Sequence, residues 1–246
     1  PGEVRNGTLL KEITGDYNEQ VTEFNQEAFE AAKRPLNRYN GVILADSVGL
    51  GKSYVGAPLV QRYTSSRDEV LIIAPKRLEP MWMGELLDAE SGVFPTEANK
   101  TFISFAELSM LSEQEIQRLR SVDMILIDEA HKLRNTQTQR YAKLQSIGRV
   151  GKLFVLLTAT PIHNSVRDVD NLIKVFADDA DFDIELDGKP PSGIFRAYDR
   201  LSSDEERSEA DRGRLEELQA LIESIMREVM ISRDRKHIVE NYDDIT

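Results

Sequence analysis

The stretch from Gly41 to Tyr54 constrains the fold more than any other part of the chain: Gly-Val-Ile-Leu-Ala-Asp-Ser-Val-Gly-Leu-Gly-Lys-Ser-Tyr. Val42 to Ala45 is an apolar run of the length of one buried parallel strand. The chain then bends through Gly49 and Gly51 into Lys52-Ser53, after which a helix can open. Strand, glycine loop, Lys-Ser and helix together can cradle a polyphosphate. Glycines let backbone N–H groups turn inward, and a helix N-terminus adds partial positive charge. Lys52 can reach the outer phosphates, and the Ser53 hydroxyl can hold Mg²⁺. The strict phosphate-loop pattern has glycine five residues before Gly51, where this chain has Asp46. In isolation the stretch also reads as an ordinary glycine turn before a helix.

The 246 residues suffice for one large domain or two small ones, and 40% hydrophobic content allows a sizeable core. No apolar run is long enough for a membrane span, and the first residues are not a signal peptide. The chain begins with Pro, as expected of a fragment or a processed product. Cysteine is absent, which excludes a disulfide framework and cysteine-ligated zinc and is consistent with an intracellular protein. The net charge of −12 argues against indiscriminate nucleic-acid binding but leaves room for a local basic stripe.

Hydrophobic spacing predicts a helix over Leu9 to Lys33, capped by Asp16 and ended by Pro35, then a turn over Asn37 to Gly41. A helix is expected from Ser53 to Tyr63, bent at Pro58. Buried strands are expected at Val70–Ala74, Thr101–Ile103, Met124–Ile127 and Leu153–Leu157. Between them lie helical patterns at Met81–Leu87 and Thr136–Ile147, and Val166–Phe176 follows the last. Ser104 with Glu107, and Ser112 with Glu115, fit capping boxes. Doubly apolar strands alternating with helices imply an α/β fold, a mostly parallel sheet covered on both faces. Ligands of such sheets bind beyond the carboxyl ends of the strands, where each motif below falls. Residues 1–177 read as this nucleotide-binding lobe, with a helical flank over 1–40. Residues 178–246 read as a C-terminal helical excursion and the start of a linker. Its main element is a long amphipathic helix from Ser203 to Val229 that Gly213 can divide, with Leu215, Leu218, Ile222, Ile225 and Val229 on one stripe.

The strand Met124–Ile127 delivers Asp128-Glu129-Ala130-His131. An acidic pair at the end of a buried strand is unfavourable unless a charged group compensates it. Beside a phosphate loop, Mg²⁺ and a water do so: Asp128 binds the metal and Glu129 polarises the attacking water. The alternative is a helix N-cap. Leu153–Leu157 delivers Thr158-Ala159-Thr160-Pro161, whose hydroxyls can bond the acidic motif and sense the γ-phosphate; the alternative is a turn with threonine caps.

Ala45 to Ser53, Asp128 to Asn135 and Leu156 to Asn164 together resemble motifs I, II and III of superfamily 2 helicase-like ATPases. The Asp before Gly-Leu-Gly-Lys and the Lys-Leu-Arg-Asn after the acidic box are similar to those of SWI/SNF-type DNA translocases. Ala74-Pro75-Lys76 with Trp82 is similar to motif Ia, Ser104-Phe105 is placed like motif Ib, and Arg233-Asp234-Arg235-Lys236 looks like the basic passage into a second lobe. The resemblance spans roughly Phe24 to Ile238. It implies the RecA-like P-loop fold, ATP and Mg²⁺ as cofactors, duplex DNA as partner and a downstream RecA-like lobe carrying arginine fingers. It implies nucleotide contacts from Gln26, Val48, Gly49, Leu50, Gly51, Lys52, Ser53 and Tyr54, with Lys52, Asp128 and Glu129 catalytic and Ser53 and Asp128 on the metal. His131, Thr158 and Thr160 match positions coupling nucleotide state to DNA grip; Lys76 and Ser104 match positions near strand phosphates, contacts that position without reading sequence. Gln26 also reads as an exposed helix glutamine, Lys76 as a surface lysine and Trp82 as packing. Ser47 departs from the usual acidic residue, Ser53 from Thr, and His163, where many relatives have Gln, receives no role. The expected activity is ATP hydrolysis by a duplex-DNA translocase lobe, slow without its second lobe. An RNA or single-strand helicase lobe, or a nucleotide-gated interaction module, are the alternatives.

Overall fold

The computed structural model describes residues 19–46, 51–162, 165–184, 188–204 and 208–233, with side chains from Asn25 onward. Six strands are described: β1 (Gly41–Leu44), β2 (Glu69–Ile73), β3 (Asn99–Ile103), β4 (Met124–Asp128), β5 (Leu153–Leu157) and β6 (Met230–Ile231). They form one sheet in the order β3-β2-β4-β5-β1-β6, and every pairing is parallel. The helices are α1 (Glu19–Tyr39), α2 (Ser53–Tyr63), α3 (Phe105–Met110), α4 (Glu113–Leu119), α5 (Gln139–Ile147), α6 (Arg167–Ile173), α7 (Pro191–Ser202) and α8 (Glu209–Val229). This is the α/β architecture that the alternation of apolar runs and helical patterns implies, in the RecA-like form that the resemblance implies.

The alternation of side chains along each strand builds two cores, one per face. Val42 and Leu44, Val70 and Ile72, Met124 and Leu126, Val155 and Leu157 point to one face, where Ala28, Ala32 and Leu36 of α1, Val55 and Leu59 of α2, and Trp82 cover them. Ile43, Leu71 and Ile73, Ile125 and Ile127, Phe154 and Leu156 point to the other, against α3 to α8. Full burial of each such side chain contributes about 1.5–3 kcal/mol.

The described residues beyond Ala177 join this second core: Phe182, Ile194, Phe195, Leu218, Ile222, Ile225 and Val229 pack into it. After α8 the chain returns to the sheet as β6, beside β1. α8 is also fastened to α1, since Arg34, Arg38 and the Tyr39 hydroxyl all donate to Glu228.

Several element boundaries differ from the sequence reading. α1 runs through Pro35 to Tyr39, because Pro35, Leu36 and Tyr39 continue the buried stripe of Ala28 and Ala32. That burial offsets the roughly 3 kcal/mol that proline costs inside a helix. The expected turn shrinks to Asn40, in the left-handed conformation at φ 57°. The long helix expected from Ser203 begins at a Ser208 capping box, and a separate helix, α7, precedes it. α8 runs through Gly213, whose backbone faces open space. Thr136 lies outside α5, which starts at a Thr138 cap, and α6 is shorter than expected. Leu9 to Asn18, with the Asp16 cap, lie outside the described residues.

Candidate functional site

A parallel sheet brings all its carboxyl ends to one rim. In register, Leu44 of β1 lies opposite Leu157 of β5, and Leu157 lies opposite Asp128 of β4. Ala45 and Asp46, Thr158, and Asp128-Glu129 therefore leave three adjacent strands at one level. Lys76 follows β2, and Ser104 follows β3, along the same rim.

Gly51 occupies the left-handed region at φ 70°, and α2 begins two residues later. No side chain caps that helix and its first turn holds no acidic residue, whereas Ser104, Ser112 and Ser208 close capping boxes on α3, α4 and α8. An anion at the α2 start meets the positive end of the helix dipole without a competing carboxylate. Lys52 donates from Nζ to the Asp46 carbonyl at 2.8 Å. Burial pushes its amine below the usual lysine range, opposed by the Asp46, Asp128 and Glu129 carboxylates. The lysine and the acidic pair thus act on one another across β1, β5 and β4. Ser53 and Tyr54 open α2, and the Tyr54 ring packs edge-on to Phe94 at 6.2 Å. Val48, Gly49 and Leu50 lie outside the described residues.

Asp128 is 8% exposed and ends β4. The Trp82 indole donates from Nε1 to its Oδ2 at 3.1 Å, and the Glu129 N–H donates to its Oδ1 at 2.9 Å. Burial nevertheless raises the Asp128 pKa above the ordinary aspartate value, with these two donors opposing the rise. Glu129 adopts the left-handed conformation, φ 60° and ψ 44°. That conformation costs a non-glycine residue roughly 1–2 kcal/mol and turns the acidic chain sharply off the strand. The Glu129 carboxylate lies 3.2 Å from His131 Nδ1. Thr158 is fully buried, and its Oγ1 accepts from the Thr160 N–H at 3.2 Å.

The rim extends toward β3. Lys76 is exposed, with Nζ 2.8 Å from Glu79 and 3.7 Å from Glu107. Ser104 accepts from the Glu107 N–H and donates its own N–H to the Glu107 carboxylate, so Lys76 and Ser104 meet at Glu107.

Two features escaped the sequence reading. Gln26 is exposed and donates to Glu30 at 3.1 Å. Its neighbour Asn25 faces the loop: a Cβ on Gly51 would come within 3.3 Å of Asn25 Nδ2, and Asn25 Oδ1 is buried without a hydrogen-bond partner. The other is Trp82, read as packing, which is fully buried and also orients Asp128. Its partner lies 46 residues away, beyond the reach of any local pattern.

The residues present fit a metal-bound triphosphate. Ser53 offers one hydroxyl and Asp128 one carboxylate to a cation. Among the described residues no group of three or more His, Cys, Asp or Glu side chains could hold a metal unaided. Mg²⁺ is commonly bound this way, by one or two protein oxygens plus phosphates. Asn25 Oδ1 and the uncapped α2 start leave further polar groups without a side-chain partner beside Gly51.

Comparison with known proteins gives the family. The SNF2-related domain matches residues 94–242, and the type III restriction enzyme res subunit matches residues 14–163. The uncharacterized ATP-dependent helicase YqhH of Bacillus subtilis (strain 168) is 32% identical over 159 residues, 59% of this chain and 28% of that protein. The Caenorhabditis elegans homolog of SWI/SNF-related matrix-associated actin-dependent regulator of chromatin subfamily A-like protein 1 is 25% identical over 191 residues, 69% of this chain and 27% of that protein. The chain thus spans under a third of these relatives' length. In fold it is similar to the Sulfolobus solfataricus SWI2/SNF2 ATPase core, solved in complex with dsDNA, with TM-score 0.56 at 20% identity over 86% of this chain and 44% of that one. The chain belongs to the SNF2-related family and is a first RecA-like lobe of the SWI/SNF-type helicase-like ATPases.

Proposed function

We propose that this lobe binds ATP with Mg²⁺ at the rim formed by β1, β5 and β4, and that the complete protein hydrolyses it to move along duplex DNA. The observation that carries the reading is the register of the three strands, with Lys52 under the electrostatic influence of both Asp128 and Glu129. In this reading Lys52 exchanges the Asp46 carbonyl for outer phosphate oxygens. Ser53 and Asp128 would hold the metal, which when bound would neutralise charge on the phosphates. Glu129 accepts a proton from the water it orients, and its left-handed backbone aims the carboxylate away from the strand. Asn25 is the α1 carboxamide aimed at the loop, with Gln26 beside it. Gly51 and Tyr54 complete the described nucleotide contacts. Thr158, Thr160 and His131 connect the acidic motif to the β5 exit, and Lys76 with Ser104 meets strand phosphates. Arginine fingers supplied from a second lobe are worth about 10³–10⁵ in rate in related phosphoryl transfer. The lobe alone is therefore slow.

The test is the ATPase rate of this lobe and of the full-length protein, each with duplex DNA, with RNA and without nucleic acid. Slow, DNA-insensitive turnover by the lobe and duplex-stimulated turnover by the full-length protein, abolished by Glu129→Gln, are expected. Strong duplex stimulation of the monomeric lobe contradicts the need for a second lobe. Stimulation of the full-length protein by RNA alone contradicts the duplex-DNA assignment.

A further inference from the structure

The residue that departs from the strict phosphate-loop pattern, Asp46, is fully buried at the exit of β1, and its carboxylate meets Arg233, only 8% exposed, at the exit of β6. The two strands zip up to this point. Ile43 pairs with Met230 and Leu44 with Ile231, the Ala45 N–H donates to the Ile231 carbonyl at 2.7 Å, and Ser232 Oγ donates to the Ala45 carbonyl at 3.4 Å. Arg233 then gives Asp46 its backbone N–H at 3.0 Å, its Nε at 3.1 Å from either oxygen, and its Nη2. A guanidinium fork suits a carboxylate in a way that a lysine ammonium cannot. The other side of Asp46 faces the nucleotide site, since its carbonyl accepts from Lys52 Nζ at 2.8 Å. One residue therefore links the arginine at the end of β6 to the lysine of the phosphate loop, across 187 positions of sequence.

We propose that Arg233 is a positioning residue for nucleotide: by clamping Asp46 it fixes the start of the phosphate loop and the resting place of Lys52, so that phosphate affinity depends on how the chain leaves β6. The glycine of the strict pattern could not do this, because it has no carboxylate for the arginine to hold. The chain at Arg233 is also the point from which a following segment can pull on the loop, which gives the lobe a mechanical connection between its exit and its nucleotide. This inference rests on the nucleotide-site reading above.

The experiment measures equilibrium binding of Mg²⁺–ATP and of AMP to the full-length protein, at a temperature where melting curves show each variant folded. Wild type, Lys52→Ala, Arg233→Met, Arg233→Lys and the Arg233→Met/Lys52→Ala double variant are compared. Arg233→Met is expected to weaken ATP about tenfold, a loss of 1.4 kcal/mol. AMP, which lacks the outer phosphates, should change much less. Arg233→Lys should recover part of the loss. Because Arg233 acts through Lys52, adding Arg233→Met to Lys52→Ala should weaken ATP no further, a non-additivity that a mere structural staple does not produce. Unchanged ATP affinity in folded Arg233→Met overturns the proposal, as does an equal loss for ATP and AMP. If Arg233→Met does not fold, Arg233→Lys carries the same comparison, and unaltered ATP affinity there overturns it. Equal ATP binding by wild type and Lys52→Ala overturns the nucleotide-site reading itself, and is distinguishable because Lys52 is then the residue without effect.

Discussion

Asp128 keeps a charge that its burial disfavours. Its carboxylate is buried at the end of β4, and burial raises its pKa despite the Trp82 and Glu129 donors. The folded state therefore holds that proton more tightly than the unfolded chain does. The ionised group costs stability above its folded pKa, and the cost vanishes once both states are protonated. Wild type should therefore gain stability as pH falls from neutral, whereas Asp128→Asn, which has no such proton to take up and sets an NH2 against one of the two N–H donors, should lack that gain, each ~1 kcal/mol reading as about 2–4 °C. The gain should come as pH falls through the range above the usual aspartate value, and thermal melts of both proteins from neutral to acidic pH read it directly. The same pH dependence in wild type and Asp128→Asn contradicts the buried-charge account. Some of this chemistry was legible at single residues: Lys52, Asp128 and Glu129 stand out because a loop, a strand and an acidic pair announce them. The contact between Asn25 and Gly51 was not. Neighbours on a helix differ in direction by about 100°, so the resemblance that points to Gln26 carries no information about what Asn25, one step away, touches. The partners of Asp46 and Asp128 are Arg233 and Trp82, brought close only by the folded sheet.

At the scale of elements, the capping boxes were readable because the signal is local: Ser104 with Glu107 and Ser112 with Glu115 form as their spacing implies. The limits of α1 were not, because a buried stripe outweighs the proline rule at Pro35. β6 was invisible for another reason. Two residues at the end of a 21-residue helix carry no period, and only β1 beside them makes a strand. The two capping boxes also permit a paired experiment. Ser104→Ala and Ser112→Ala should each lower stability by about 1 kcal/mol through loss of the cap. Ser104, beside Lys76 on the rim, should in addition weaken duplex-DNA binding by the full-length protein, and Ser112 should not. Denaturant melts give the first comparison and a DNA titration the second. Equal DNA affinity in the two variants removes Ser104 from the interface.

For the whole molecule, the all-parallel order β3-β2-β4-β5-β1-β6 matters most, because it brings the carboxyl ends of the strands, where the candidate residues stand, to one edge. The chain is acidic overall, at −12, so any grip on a phosphate backbone must come from a restricted part of that edge and weaken steeply with salt. The parallel sheet and its covered faces were legible from doubly apolar strands. The joining of residues beyond Ala177 to the same core was not, since composition shifts there while packing does not. The central claim is that Lys52, Asp128 and Glu129 serve one triphosphate. Calorimetric titration of Mg²⁺–ATP into wild type, Lys52→Ala and Glu129→Gln tests it most directly. The account predicts a single site, retained in Glu129→Gln and weakened at least about tenfold in Lys52→Ala; Lys52→Ala binding as tightly as wild type would contradict it.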